Sequence, residues 1–200
     1  PDLRDVRGQG RARLGLEVAA AGGHHLAMVG PPGVGKTLLA DRLPGLLPDL
    51  SDDLALEVAA VHSVAGQPRA DSHYARPPLR APHHSASAAA VLGSVRTGRV
   101  VPGAVTLAHG GVLVLDEAPE FPRNALEALR QPLETGAVYL DRAGWSGWLP
   151  ARFQLVLAAN PCPCGRRIGT GAGCSCAPAA IRRYASRLSG PLLDRIDVRM

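Results

Sequence analysis

One stretch of this chain decides its fold: Gly30-Pro31-Pro32-Gly33-Val34-Gly35-Lys36-Thr37. It is a complete G-x-x-x-x-G-K-[ST] phosphate loop, in which backbone N–H groups surround an anion and the following helix points its positive end at the same place. Gly30, Gly33 and Gly35 permit the backbone angles that such a loop requires. Lys36 is the one lysine among 200 residues. It predicts an ammonium between nucleotide phosphates, and the Thr37 hydroxyl is the expected Mg²⁺ ligand.

The composition indicates one domain with a sizeable core. Hydrophobic residues make up 46% of the chain but aromatic residues only 4%, so we expect a core of Leu, Val and Ala. No run approaches the roughly 20 apolar residues that span a bilayer, and we expect no secretory leader. We therefore expect a cytoplasmic protein with no membrane partner. The net charge of +5 permits a nucleic-acid partner.

Short apolar strands alternate with helical stretches, which is typical of an α/β fold with a mainly parallel sheet. We expect helices at 11–21, 124–133 and 181–188, buried strands at 25–29, 112–115 and 155–159, and a hairpin over 138–153 that turns around 144–147. Residues 66–104 are rich in Pro, Arg, His and Ser, and we expect an insertion with little structure of its own. The chain starts at Pro1 and stops in a strand-like stretch at 197–200, so we expect a piece of a longer protein.

Two carboxylates are the second sign of a nucleotide site. Asp116 and Glu117 follow the apolar strand 112–115 and should lie at the carboxyl edge of the sheet, where ligands bind. We expect Asp116 to hold Mg²⁺ through its water shell. Glu117 is expected to orient and deprotonate the attacking water, since phosphoryl transfer depends mainly on positioning and charge neutralisation. The alternative is an acid pair that caps the next helix.

Asn160, which ends the strand 155–159, is the third sign. A neutral amide there would hydrogen-bond the γ-phosphate or the attacking water without adding charge. An Asn at a strand end also occurs as a turn residue. Its order after the two acids favours the functional interpretation.

These three signs resemble Walker A, Walker B and sensor 1 of an AAA+ ATPase. Three further stretches, 80–87, 161–165 and 182–197, narrow the resemblance to the magnesium-chelatase-like AAA+ ATPases of the ComM type. The resemblance covers essentially all 200 residues and implies a three-layer P-loop core with a parallel sheet, a helix-2 insertion and a hairpin before sensor 1.

The same resemblance implies function. Such proteins are bacterial cytoplasmic hexameric motors that hydrolyse ATP with Mg²⁺ and are linked to branch migration of DNA in natural transformation. A Lon-like domain precedes this core in the family and a helical lid follows it. We expect neither within residues 1–200, and we expect hexamer assembly to need them.

Two more residues take roles from the resemblance. Arg195 corresponds to the arginine finger that reaches into the neighbouring subunit's nucleotide, where a guanidinium suits the charge on a transferring phosphoryl group. Without the family pattern it would be read as a surface ion pair with Asp194 or Asp197. Gln9 resembles the segment near the adenine, although it is also a plausible helix-start residue.

Four cysteines form a C-x-C, nine residues, C-x-C pattern within the loop 161–177: Cys162, Cys164, Cys174 and Cys176. Clustered thiolates on a Gly-rich loop suggest a Cys₄ Zn²⁺ site. Free thiols, or disulfides formed on oxidation, are the alternatives. We expect zinc to order this loop without affecting Mg·ATP binding.

The hairpin adds a possible DNA contact through its arginines and tryptophans: Arg142, Trp145, Trp148 and Arg152. Packing on a neighbour explains such tryptophans equally well.

Two other function classes stay open, a metal-chelatase ATPase subunit and a nucleotide-dependent switch without motor activity. The cysteines and the stretch 80–87 favour the DNA motor over the chelatase, and intact Glu117 and Arg195 argue against the switch.

Overall fold

The computed structural model describes residues 2–69, 74–142, 144–171, 173–188 and 190–200, without the side chain of Arg142. The helices are α1 (Gly10–Gly22), α2 (Lys36–Ala40), α3 (Asp52–Val64), α4 (Ala88–Leu92), α5 (Ala104–Leu107), α6 (Arg123–Ala128), α7 (Arg130–Thr135), α8 (Pro178–Ala185) and α9 (Gly190–Leu193). The strands are β1 (Leu26–Val29), β2 (Leu79–Arg80), β3 (Gly93–Arg96), β4 (Arg99–Pro102), β5 (Val112–Leu115), β6 (Ala137–Arg142), β7 (Trp145–Pro150), β8 (Gln154–Ala159) and β9 (Val198–Arg199).

A five-stranded parallel sheet with the order β2-β5-β8-β1-β9 forms the centre of the fold. β8 lies between β1 and β5, so Val29 pairs with Ala159 and Leu115 pairs with Leu157. The carboxyl ends of these three strands therefore meet at one edge. The predicted α/β fold with a parallel sheet is confirmed.

The central strands are apolar on both faces, as a sheet covered by helices on two sides requires. Alternate residues point to opposite layers: Val112 and Val114 pack with α1 and α2, whereas Leu113 and Leu115 pack with α4, α5, α6 and α9. The side chain of Leu113 is fully buried. Truncating such a leucine to alanine costs about 2–5 kcal/mol of folding stability. The tightly packed strands therefore hold the residues at their carboxyl ends firmly in place.

The helices are short, and α3 begins at a serine cap. α1 and α3 have 13 residues each, and α3 starts where the Ser51 hydroxyl accepts a hydrogen bond from the N–H of Leu54. Asp52 and Asp53 lie in its first turn, where carboxylates interact favourably with the helix dipole. Within the described part of the chain, no helix combines the length and the apolar character needed to cross a membrane.

The expectation of little structure over 66–104 is wrong for its second half, 88–104, and for a short strand before it. Leu79–Arg80 is an edge strand of the central sheet, and α4, the β3–β4 hairpin and α5 follow it. These elements form because Leu92 at the end of α4 and apolar side chains on the β3–β4 hairpin pack against the main core. Residues 70–73 of the predicted insertion lie outside the described residues.

The predicted turn of the second hairpin is also corrected. β6 and β7 pair from Ala137 with Pro150 up to Arg142 with Trp145, so residues 145–147 belong to β7 and the turn is tighter than expected. Gly144 has a φ of +81°, which a short hairpin turn favours. Trp145 packs against the core, whereas Trp148 is 60% exposed.

Candidate nucleotide-binding site

Three neighbouring strands deliver the predicted site residues to one edge of the sheet. The phosphate loop follows β1, Asp116 and Glu117 follow β5, and Asn160 follows β8. They enclose a cleft of about 310 Å³. Its lining consists of Pro32, Gly33, Gly35, Lys36, Thr37, Asp116, Glu117, Ala159 and Asn160.

The phosphate loop needs glycine at two positions. Gly33 has a φ of +77° and Gly35 a φ of +91°, in the left-handed region that side chains disfavour. Gly30 does not have a positive φ, so its place in the loop does not depend on a left-handed backbone angle. Gln9, at the start of α1, donates a hydrogen bond of 2.5 Å from its amide to the carbonyl of Val34. It therefore braces the outside of this loop.

Lys36 lies at the centre of the cleft. Its ammonium donates hydrogen bonds to the carbonyls of Gly30 at 2.7 Å and Pro31 at 2.9 Å, and to Oδ1 of Asn160 at 3.1 Å. Partial burial lowers the pKa of Lys36, although the two carboxylates that follow β5 act in the opposite direction. Three acceptors hold the ammonium at the mouth of the loop, where nucleotide phosphates would bind.

Thr37 and Asp116 meet in a geometry that suits a hard cation. The Thr37 hydroxyl donates a hydrogen bond of 2.6 Å to Oδ2 of Asp116, and Oδ1 of Asp116 accepts one of 2.8 Å from the N–H of Glu117. Mg²⁺ prefers oxygen ligands and keeps several of its waters when it binds beside phosphates. The two side chains fit the predicted Mg²⁺ site, because the Thr37 hydroxyl and Oδ2 of Asp116 lie side by side in the cleft.

Glu117 has a contact that sequence reasoning missed. Its Oε2 lies 2.9 Å from Nδ1 of His84, and the ring of His83 lies beside His84 with 4.1 Å between centroids. From sequence, this histidine pair has no role in the site. The clue in the sequence was the position of the histidine pair a few residues after β2. β2 pairs with β5, and Glu117 follows β5 closely.

Arg195 is the predicted residue that lies away from the cleft of its own chain. It forms an ion pair with Glu134 and donates to the carbonyl of Pro191. The alternative surface pairs with Asp194 or Asp197 are not the contacts that the structure records for Arg195.

The four cysteines converge although nine residues separate the two pairs. The sulfur of Cys162 lies 3.4 Å from that of Cys164 and 3.6 Å from that of Cys174, and the latter two are 3.7 Å apart. All four sulfurs, including that of Cys176, lie within 4.8 Å of one another as free thiols. Thiolates around Zn²⁺, with Zn–S bonds of about 2.3 Å, would be about 3.8 Å apart.

Hydrogen bonds at one of these sulfurs favour its thiolate form. A hydrogen bond from the N–H of Arg166, together with one from Cys162, lowers the pKa of Cys164 to about 6. The thiolate is the form that binds metal.

Comparison with known proteins agrees with this architecture. The family model described as magnesium chelatase, subunit ChlI, matches residues 2–200. The chain belongs to this family. The family, together with the parallel sheet and the phosphate loop, identifies the ChlI-family chain as an AAA+ protein of the ATPase type.

Several curated relatives of this ChlI-family chain are longer proteins. It is 58% identical over 200 residues to an uncharacterised protein of Mycobacterium tuberculosis, covering all of this chain and 39% of that protein. It is 50% identical over 198 residues to YifB of Escherichia coli and 50% identical over 197 residues to the competence protein ComM of Haemophilus influenzae. Each match covers 98% of this chain and 38% of the relative, so the chain spans less than two fifths of their length. The resemblance to the ComM type is confirmed.

A solved structure shows the same fold at low identity. NtrX from Brucella abortus matches the ChlI-family chain with a TM-score of 0.58 and 16% identity, covering 95% of this chain and 35% of NtrX. At this identity the match supports the three-layer architecture alone.

Proposed function

We propose that this chain is the ATP-hydrolysing core of a ring-shaped DNA motor. The observation that carries the proposal is the convergence of Lys36, Asp116, Glu117 and Asn160 in one cleft beside a complete phosphate loop. Bound ATP with Mg²⁺ would supply the phosphoryl group and its charge neutralisation. The remaining chemistry consists of positioning and of moving one proton.

Each side chain has a distinct role in this proposal. Lys36 binds the phosphates, and Thr37 and Asp116 hold the cation. Glu117 accepts the proton of the attacking water at its carboxylate. Asn160 orients that water or the outermost phosphate through its amide without adding charge. Gln9 braces the loop beside the base-binding side.

A hexameric ring accounts for the position of Arg195. Its guanidinium lies outside its own chain's cleft, so it would act on the nucleotide of a neighbouring subunit. The domains outside this core would contribute to assembly.

DNA is the proposed substrate of the motor. ComM is named a competence protein, and this chain carries a net charge of +5, with arginine supplying all but one of its Lys and Arg residues. The exposed ring of Trp148 lies 5.0 Å from the ring of Tyr139 on the β6–β7 hairpin, and paired exposed aromatics are stacking platforms for unpaired bases. Branch migration of DNA during natural transformation is the activity that fits best.

Zinc and a cytoplasmic location complete the proposal. Four free thiols at near-tetrahedral spacing fit a structural Zn²⁺ site, and free thiols of this kind persist in a reducing compartment.

The test uses the full-length natural protein that contains this core. ATP hydrolysis and strand exchange are measured with branched, single-stranded and fully paired DNA. We expect branched or single-stranded DNA to stimulate hydrolysis, and Trp148→Ala to reduce the stimulation while basal hydrolysis persists. Trp148→Phe is the matched control. Hydrolysis that no DNA changes would contradict the motor assignment.

A metal-chelatase subunit is the second candidate, favoured by the description of the matching family. The same cleft would then drive metal insertion into a porphyrin. ATP-dependent Mg²⁺ insertion in the presence of porphyrin and partner subunits, with no response to DNA, would select this function.

A further inference from the structure

The cysteine cluster lies directly beside the nucleotide cleft. One residue, Pro161, separates Asn160 from Cys162, and Cys162 has no exposed surface. The carbonyl of Cys162 accepts a hydrogen bond of 2.9 Å from the N–H of Gly165, which closes a tight turn. The cluster therefore starts where the strand that carries Asn160 ends.

Gly165 joins this turn to the phosphate loop. Its φ is +72°, and a Cβ on it would lie 2.6 Å from the ring of Pro32 and 3.9 Å from Cγ of Asn160. The backbone of Gly165 thus fits against the ring of Pro32 at a distance that a larger residue would not permit, and Asn160 lies at ordinary contact distance. Lys36 is linked to this turn through Asn160, because the ammonium of Lys36 donates a hydrogen bond to the side chain of Asn160.

We propose that Zn²⁺ bound by Cys162, Cys164, Cys174 and Cys176 holds this turn against Pro32 and thereby raises the affinity of the phosphate loop for Mg·ATP. The ligand class is a borderline-soft divalent cation, because four sulfur ligands at tetrahedral spacing favour Zn²⁺ over the hard cation of the neighbouring cleft. The proposal rests on the nucleotide binding of the proposed function, but not on hydrolysis or on DNA.

The physical route is conformational restriction. A bound metal removes the freedom of the loop that supplies its ligands, and the restricted turn contacts Pro32. Without metal, the Gly165–Cys162 hydrogen bond and the contact with Pro32 must hold the turn. From sequence, loss of zinc was expected to spare Mg·ATP binding. The packing of Gly165 on Pro32 argues against that expectation.

The first experiment removes two ligands in the second half of the loop. Cys174→Ser with Cys176→Ser is made in the full-length protein, with Thr170→Ala in the same loop as the matched control. We expect about one zinc per chain in reduced, chelator-free wild type and none in the double variant. The dissociation constant for Mg·ATP should rise about fivefold or more in the double variant and stay unchanged in Thr170→Ala.

The second experiment uses wild-type protein alone, so it does not depend on the folding of a variant. Coupling between two sites is reciprocal, so saturating Mg·ATP should raise zinc affinity by the same factor. A zinc-selective chelator measures this affinity with and without the nucleotide.

The outcomes separate this proposal from the proposed function. Absence of stoichiometric zinc overturns the metal site. Zinc loss with unchanged Mg·ATP affinity, or zinc affinity that ignores the nucleotide, overturns the coupling and leaves the motor untouched. Intact coupling in a protein that does not hydrolyse ATP would instead overturn the proposed function alone.

Discussion

The ammonium of Lys36 donates a hydrogen bond of 3.1 Å to the side-chain oxygen of Asn160, 124 residues further along the chain. This bond ties the phosphate loop after β1 to the end of β8. Asn160 directly follows β8, and Lys36 starts α2 after the phosphate loop that follows β1, the strand paired with β8. The nucleotide cleft is therefore held together by the sheet.

Lys36→Ala should weaken Mg·ATP binding by at least about tenfold, because a hydrogen bond to a charged group contributes roughly 1.5–3 kcal/mol. Calorimetric titration with Mg·ATP measures the effect. Arg123→Ala is the matched control, since it removes an exposed cation on α6, away from the cleft. Unchanged affinity in Lys36→Ala would sink the assignment of the loop.

Glu117→Gln should bind Mg·ATP normally but hydrolyse it about 10²-fold more slowly or worse, as expected on loss of a general base. Glu120→Gln, which changes the nearby acid that pairs with Arg187, is the control. Binding and single-turnover hydrolysis are measured on the same samples. If Glu117→Gln loses nucleotide binding instead, its role is structural.

His84→Ala should change the turnover number and leave Mg·ATP affinity intact, because the contact that His84 makes at this site is with Glu117. His83→Ala is the comparison, since His83 bonds to Ser85 rather than to the carboxylate. Equal effects of the two substitutions on turnover would show that the Glu117 contact is not the cause.

Motifs at strand ends made most of the cleft predictable. Lys36, Asp116 and Asn160 each follow a buried apolar strand or its loop, and parallel strands bring their carboxyl ends to one edge. Arg195 was placed by family resemblance alone, and its role in a neighbouring subunit stays a prediction.

Other features depend on contacts that local patterns do not encode. β2 has two residues, too few for a periodic signal, and it becomes a strand only by pairing with Val112 and Leu113. The contact between His84 and Glu117 depends on the path of the chain from β2 to α4. The convergence of the cysteine pairs likewise depends on a loop between them.

The stability of the fold should decrease on acidification below about pH 6.5. Burial lowers the pKa of His25, while Asp197 raises it and His24 lowers it further. Because the folded pKa lies below the unfolded one, the unfolded state takes up the proton first, and stability present above the unfolded pKa is lost as the pH falls. Protonation would also remove the acceptor at Nδ1 of His25 for the N–H of Leu155.

His25→Asn tests this expectation, because an asparagine oxygen is suited to replace Nδ1 as the acceptor but does not titrate. Denaturant unfolding between pH 7.5 and 5 should show a shallower loss of stability in the variant. His62, whose pKa burial also lowers, remains in both proteins and accounts for part of the residual slope. Identical slopes in wild type and variant would contradict the role of His25.

Arg195→Ala should leave each subunit's own Mg·ATP site intact and slow hydrolysis about 10³-fold, the typical contribution of an arginine finger. Glu134→Ala, which removes the partner of Arg195 within its own chain, is the control and should retain hydrolysis.

The decisive measurement mixes Arg195→Ala with Glu117→Gln in full-length protein. At some mixed interfaces, one subunit supplies the arginine and the other supplies an intact acid, so activity should exceed that of either variant alone. One variant lacks the arginine and the other lacks the acid. Recovered ATP hydrolysis would therefore require groups from two different chains. Mixed rings that stay inactive at all ratios would exclude a finger in trans, and Arg195 would then serve only its ion pair with Glu134.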